Sequence, residues 1–199
     1  MSAETRRALT ARGEDTRNAI LAAAETVIGE RGFASSSIAD ITRAAGIAQG
    51  TFYIYFQTKD MVFRELVSLM GRLTRATLSQ SVAGISDRLD AERVGLAAFL
   101  RFVADRPNLY NIVEEARFVA PDAYRDYFSN FADAYAQNLA QAAREGIIRP
   151  GNPEIRAWAL MGMAKTLGER FCVWQKQGDL DAEAVVDDVF DMLEKGLRP

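Results

Sequence analysis

No histidine occurs among the 199 residues, and cysteine occurs once, at Cys172. Without histidine there is no Ser-His-Asp triad, no Cys-His nucleophile pair, no histidine-containing zinc site and no imidazole general base, so the commonest hydrolytic mechanisms lose their central group. A lone cysteine cannot pair within its own chain, which excludes an internal disulfide framework, fits a reducing compartment and makes Cys172 a small buried core residue. No apolar run approaches the roughly 18–20 residues needed to cross a bilayer, and Met1–Gly13 lacks the apolar stretch of a secretory signal. The expected location is therefore cytoplasmic, away from the membrane. No β-alternating segment, internal repeat, low-complexity tract or glycine-rich phosphate loop is present, so the class is all-α and no cofactor or metal site is expected.

With 49% hydrophobic and 26% charged residues, the chain can bury one sizeable core or carry a small module fused to a larger one. The formal charge of -3 is unevenly spread. Residues 1–60 hold seven Arg/Lys against seven Asp/Glu, whereas residues 61–199 hold seventeen against twenty. Any nucleic-acid footprint must then come from a few locally placed basic groups.

Residues 1–13, with Arg6, Arg7 and Arg12, show no apolar period and read as a mobile arm. Helical spacing starts near Asp15, places Ile20, Ala24, Val27 and Ile28 on one face, and stops at Arg31-Gly32. Ser37, with Asp40 three residues on, opens a short second helix whose buried face is Ile38, Ile41 and Ala45, closed by Gly46. Gln49–Phe56 follows after a tight turn, with Phe52 and Phe56 four apart on one face and Thr51, Tyr53 and Tyr55 pointing elsewhere. Two short helices about a glycine turn form a helix-turn-helix, whose second helix enters the DNA major groove. From a Thr58 cap a long helix runs to Ser81, and Val82–Asp87 is a loop. Further helices are expected over 88–104, 107–119, 121–145, 153–176 and 182–195. Pro107, Pro121 and Pro153 sit where first-turn proline is tolerated, and Gly146, Gly178 and Gly196 follow helix ends.

The segment Ala44-Ala45-Gly46-Ile47-Ala48-Gln49-Gly50-Thr51-Phe52-Tyr53-Ile54-Tyr55-Phe56-Gln57-Thr58-Lys59-Asp60 resembles the DNA-binding signature of the TetR family of regulators, and the similarity extends from Arg17 to about Phe63. Beyond residue 70 the resemblance is to the family's layout of about nine helices. It implies a homodimer, usually a repressor, that leaves operator DNA when a small molecule binds the C-terminal body. The domains expected are the arm (1–13), a three-helix DNA-binding domain (14–60) and a helical ligand-binding and dimerisation bundle (61–199).

A groove reader needs short or planar side chains that reach base edges, and Gln49, Thr51, Tyr53 and Tyr55 qualify. Gln49 can pair with adenine, Thr51 can meet a base, a phosphate or a thymine methyl, and Gly50 permits close approach. The resemblance implies that Tyr53 and Lys59 meet phosphates or base edges; Tyr55 stands where the family often has histidine. Ser36, Ser37, Arg43, Arg17 and the arm arginines are candidates for phosphate contacts, with a plain capping role as the alternative for Ser37.

Between Tyr110 and Tyr135 stand seven aromatics, enough to line a pocket for a largely apolar or aromatic effector or to fill an ordinary core. The pocket candidates are Phe63, Leu66, Met70, Phe102, Tyr110, Glu114, Arg117, Phe118, Tyr124, Phe128 and Phe131. An inward Arg117 would favour a carboxylate or phosphate on the effector; solvent exposure of these charges is the alternative. Leu160, Ala164, Leu167, Phe171 and Trp174, with Val186, Val189, Phe190, Leu193 and Leu197, make two stripes suited to coiled-coil-like packing. In the family such helices pair across a two-fold axis, so Leu160, Leu167, Phe171, Trp174, Val186, Val189 and Leu193 are the candidate dimer face. Effector binding would shift the 58–81 helix and change the spacing of the two recognition helices. An enzyme is disfavoured, because the adjacent carboxylates Glu114 and Glu115 project differently from a helix and make no acid-base pair. A helical interaction module without DNA binding is the other alternative, and it would predict an eroded recognition helix.

Overall fold

In the computed structural model, residues 11–174 and 181–197 are described, with side chains over 13–174 and 181–194. The arm arginines Arg6 and Arg7, the Arg12 side chain, the expected end of the eighth helix at Lys176, the Gly178-Asp179 break and the Leu197 side chain lie outside that set. The described residues are helical and contain no strand. The helices are α1 (Ala11–Arg31), α2 (Ile38–Ala45), α3 (Gln49–Tyr55), α4 (Lys59–Ser81), α5 (Arg88–Asp105), α6 (Pro107–Val119), α7 (Pro121–Arg144), α8 (Pro153–Gly168) and α9 (Ala182–Leu197). Helix α1 starts at Ala11, four residues before Asp15 where helical spacing is expected to begin, so residues 11–13 of the expected arm are helical.

Local chemistry sets most boundaries. At α2 the Ser37 hydroxyl accepts from the Asp40 N–H, and the Asp40 carboxylate accepts from the Ser37 N–H, so two orphan donors are satisfied reciprocally. Gly46 ends the helix at φ 66°, and the Ile47 N–H closes on the Thr42 carbonyl. Asp87 caps α5 by accepting from Leu89 and Asp90, and Asn152 caps α8 with Pro153 in its first turn.

The chain divides into two compact units. One comprises residues 1–68 and 108–124, the other 69–107 and 125–199. In the first, Ile20, Ala24, Val27 and Ile28 of α1, Ile41 of α2, Phe52 and Phe56 about α3, Val62, Phe63 and Leu66 of α4, and Leu109, Ile112, Val113 and Ala116 of α6 are all buried. On α2 the buried pair is Ile41 and Thr42; Ile38 and Ala45 are only half-buried. The first unit thus includes α6, a helix the sequence groups with the C-terminal body.

In the second unit Leu89, Leu139, Ala142, Ile148 and Ala157 form one apolar cluster, flanked by Tyr135 and Leu160. Helix α9 packs on α5 through Ala182, Val186 and Phe190, reinforced by the ion pairs Arg93–Asp187 and Arg101–Glu183. Helix α8 does not continue in α-helical geometry: Glu169–Val173 is a π-helical turn, with the Trp174 N–H reaching the Glu169 carbonyl. Its buried line is Ala157, Met161, Gly168 and Cys172, not the expected Leu160-to-Trp174 stripe, which runs beside it. Gly168 is what lets α8 come close to α5, since a Cβ there would lie 3.3 Å from Phe99. Cys172 donates to the Leu100 carbonyl, and burial pushes its thiol up to about 11.

The second unit also holds a largely buried polar triad. Arg88 pairs with Glu92 on α5, the Tyr135 hydroxyl of α7 donates to the other Glu92 oxygen, and the guanidinium lies 5.5 Å from the Tyr135 ring centroid. The Arg88 Nε is buried without a partner. Desolvation raises Glu92 above the usual carboxylate range, opposed by Arg88 and the tyrosine bond.

Two stability predictions result. Ser37→Ala removes the α2 cap and lowers unfolding free energy by about 1 kcal/mol in urea titration. The Ser37 hydroxyl bond holds Asp40 below its ordinary range, so the carboxylate's share of the cap is complete above that range and is lost as pH falls through the lowered value. Arg88→Met leaves Glu92 buried without a cation and costs about 3–5 kcal/mol, whereas replacing Arg88, Glu92 and Tyr135 together by Met, Leu and Phe recovers most of that loss. Because the folded protein binds the Glu92 proton more tightly than the unfolded chain, its contribution declines as pH rises through the raised value; the triple variant lacks this slope.

Candidate nucleic-acid interface

Helix α3 is anchored by its aromatic side. Phe52 and Phe56 are buried 6.0 Å apart, and Tyr53 meets Phe52 edge-on at 5.6 Å. That anchoring turns the opposite side outward: Gln49 and Gly50 are exposed, Tyr53 is half exposed, and Thr51 and Tyr55 are half-buried. Ile54 is 76% exposed, the most exposed large aliphatic side chain on α3, and it was absent from the sequence-based set. Its place opposite Phe52 and Phe56 was the available signal. A Cβ on Gly50 would meet nothing within 4 Å, so protein packing does not require glycine there.

The charged candidates are less free. Arg43 is exposed and pairs with Asp40 at 3.2 Å, an ion pair weak enough to exchange for a phosphate. Arg17 pairs with Glu65 at 3.2 Å and covers the Phe56 ring at 5.3 Å. Ser37 is exposed but committed to the α2 cap. Ser36 is buried: its hydroxyl donates to the carbonyls of Gly32 at 2.7 Å and Val27 at 3.1 Å, so its side chain fastens the α1–α2 turn.

Lys59 is turned inward too. Its Nζ donates to the Phe33 carbonyl at 2.5 Å and the Ser36 carbonyl at 2.6 Å, and stands 4.0 Å from the Phe33 ring centroid. From α6, both oxygens of Glu115 accept the Phe33 N–H at 2.8 Å. Charge-assisted bonds of this kind contribute about 1.5–3 kcal/mol each where they are shielded from water. Gly32, at φ 80°, makes the left-handed turn that brings the Phe33 N–H to that carboxylate.

The pocket candidates do not gather in one unit. Phe63, Leu66 and Tyr110 are buried in the first, where Glu114 and Tyr124 are half-buried; Met70 is buried in the second, with Phe102, Phe128 and Phe131 half-buried there. Phe128 is held between Tyr127, edge-on at 4.9 Å, and Trp158, stacked at 6.5 Å. Two expectations are corrected. Phe118 is 82% exposed because it falls opposite the Leu109, Ile112 and Ala116 stripe, and Arg117 reaches solvent at the last turn of α6, 5.8 Å from the Phe118 ring. Of the dimer candidates, Val186 is buried against its own unit, Leu160, Leu167, Phe171, Val189 and Leu193 are half-buried, and Trp174 is 68% exposed.

Residues 20–66 match the family model for bacterial regulatory proteins of the tetR family. Over 192 residues the chain is 28% identical to the uncharacterized HTH-type transcriptional regulator YdgC of Bacillus subtilis (strain 168), covering 93% of this chain and 96% of that one. It shares its fold with AibR, crystallised in complex with isovaleryl coenzyme A and operator DNA (TM-score 0.73, 21% identity, 89% of this chain and 97% of the other). The same holds for the transcriptional regulator FadR from Bacillus subtilis in complex with stearoyl-CoA (TM-score 0.77, 18% identity, 89% and 97%). Residues 20–66 are thus a tetR-type helix-turn-helix segment, in a chain that resembles a helix-turn-helix transcriptional regulator over nearly its whole length.

Proposed function

We propose that this protein is a cytoplasmic, homodimeric transcriptional repressor that reads a palindromic operator with α3 and releases it when a small, largely apolar effector binds the C-terminal body. The observation that carries the reading is the outer face of α3. Gln49, Gly50, Tyr53 and Ile54 are held in the open by a buried Phe52–Phe56 anchor, with no acidic residue on the helix to repel phosphate. Tyr53 and Gln49 supply polar reach, Ile54 an apolar surface for a thymine methyl, and Gly50 room for the sugar-phosphate backbone. Arg43 supplies the nearest exchangeable cation, and Lys59 has one ammonium hydrogen beyond its two carbonyl bonds for a phosphate. Thr51, Tyr55, Arg17 and Ser37 complete the surface at its edges, and Ser36 acts through the turn it fastens.

No catalytic role is assigned. The chain has no histidine, and Glu115 of the adjacent carboxylate pair is engaged by a backbone N–H. Among the described residues no helix is long and apolar enough to cross a membrane. For the dimer face we favour the exposed and half-exposed apolar residues of α8, the π turn after it and α9, namely Leu167, Phe171, Trp174, Val189 and Leu193, with Trp158 and Met192 beside them. The AibR and FadR complexes contain isovaleryl coenzyme A and stearoyl-CoA, whose acyl chains are apolar, which makes acyl thioesters of coenzyme A the first class to try.

Selection of the purified protein against random duplex DNA is expected to return a palindromic site whose affinity falls as salt is raised. Tyr53→Ala should weaken binding to that site about tenfold or more. Gly50→Ala should separate stability from reading: urea titration gains about 0.5 kcal/mol from the lost backbone freedom, while operator affinity drops. Isovaleryl-CoA and stearoyl-CoA, added at saturating concentration, test release of the selected duplex. A folded protein that enriches no duplex overturns the operator-binding reading and favours an interaction module.

A further inference from the structure

The turn between α1 and α2 is gripped from both sides through one peptide group. Its Phe33 N–H is taken by the Glu115 carboxylate, 82 residues away in sequence, and its Phe33 carbonyl by the Lys59 ammonium. The Phe33 ring covers that ammonium and meets Phe63 edge-on at 5.0 Å, so the charged contacts are partly shielded from water. Helix α6 is also pressed directly on α1: a Cβ at Gly29 would lie 2.4 Å from the Asn108 Cβ, and one at Gly32 would lie 3.4 Å from a Glu115 oxygen. Close backbone approach at Gly29 fixes α6 against α1, and Glu115 then reaches past the end of α1 to the first residue of the turn.

We infer that Glu115 is a positioning residue for operator binding, acting from α6 to set the angle at which the α2–α3 pair leaves α1. The inference rests on the operator-binding reading above and deepens it. Helices α2 and α3 move as a pair, because Ile41 and Phe52 are buried between them and their neighbours and Gly46 fixes the turn. The pair packs on α1 through α2, with Arg31 3.8 Å from Asp40, and is joined to it in the chain by residues 32–37, where Gly32 has the freest backbone. With the carboxylate in place, rotation about Gly32 must break the bonds to the Phe33 N–H; without it, the turn keeps its internal bonds, the Lys59 contacts and the packing of α2 on α1, which resist sliding less specifically than a directed bond. A two-site reader is sensitive to this angle, since both recognition helices must meet the groove in register. Displacement of α6 along α1 would act on the same bond.

The test uses the full chain and the duplex selected by the wild type. Glu115→Ala is expected to bind that duplex about tenfold more weakly, and Glu115→Gln, which keeps a neutral acceptor, about threefold more weakly. Hydrogen exchange at the Phe33 amide should accelerate in the order wild type, Gln, Ala. Val113→Ala, a cavity on the buried face of α6, is the control for a merely structural effect: it should lower thermal stability yet keep affinity within twofold. If Glu115→Ala does not fold, Glu115→Gln decides. Faster Phe33 exchange with affinity within twofold of wild type in the folded variants overturns the positioning role and leaves operator binding standing. Equal loss of affinity in Val113→Ala overturns it also, by making the effect one of stability. A wild type that selects no duplex removes the operator-binding reading and this inference with it.

Discussion

The peptide group of Phe33 is where the first unit is tied together. Three helices meet there: α1 ends at Gly32, α4 begins with Lys59, and α6 presents Glu115. A turn so placed has backbone groups that water would otherwise satisfy, and here opposite charges satisfy them instead, a cation on the carbonyl and an anion on the N–H. Neither charge is buried without compensation, and each is spent on fixing geometry. The Ser36 hydroxyl completes the knot by turning back to the end of α1. The exposed face of α3 takes its direction from this knot together with the packing of α2 on α1.

The second unit solves a different problem. Its helices are long, its core is mostly alanine and aliphatic, and beside a buried Thr74 its charged interior is the largely buried pair of Arg88 and Glu92 with Tyr135. A buried ion pair with an unpartnered Nε is a poor source of stability compared with an apolar substitute of the same volume. What it supplies is register, since only one placement of α5 beside α7 lets the tyrosine hydroxyl reach Glu92. After Gly168 the chain widens into a π turn, and Cys172 within it is buried like Ala157 and Met161 before it.

What could be read from the sequence is what local chemistry determines. Ser37 with Asp40, Gly46 and the first-turn prolines Pro107, Pro121 and Pro153 each bound a helix by interactions within a few residues, and the helix order follows from them. The aromatic anchor of α3 is equally local, a four-residue spacing. The failures share a cause in distance along the chain. Glu115 looks like half of a solvated acidic pair until Phe33 is brought to it, and Lys59 looks like a free phosphate ligand until the carbonyls of Phe33 and Ser36 surround it. Phe118 counts as one more aromatic in a dense run until the buried line of α6 is known, and the π turn leaves no mark in the apolar spacing it disrupts.

That division between local and distant also bears on how such a reader can be regulated. Elements set by local chemistry, the α2 cap and the α3 anchor, hold the shape of the reading surface by contacts within residues 37–56. The contact set by distant residues is the adjustable one. It consists of a carboxylate on a separate helix holding one N–H beside a left-handed glycine, and a small shift of that helix exchanges a charge-assisted bond for a solvated one at modest cost. A regulator needs a rigid surface whose orientation can change, and here rigidity comes from neighbours in sequence while orientation comes from a residue 82 positions away.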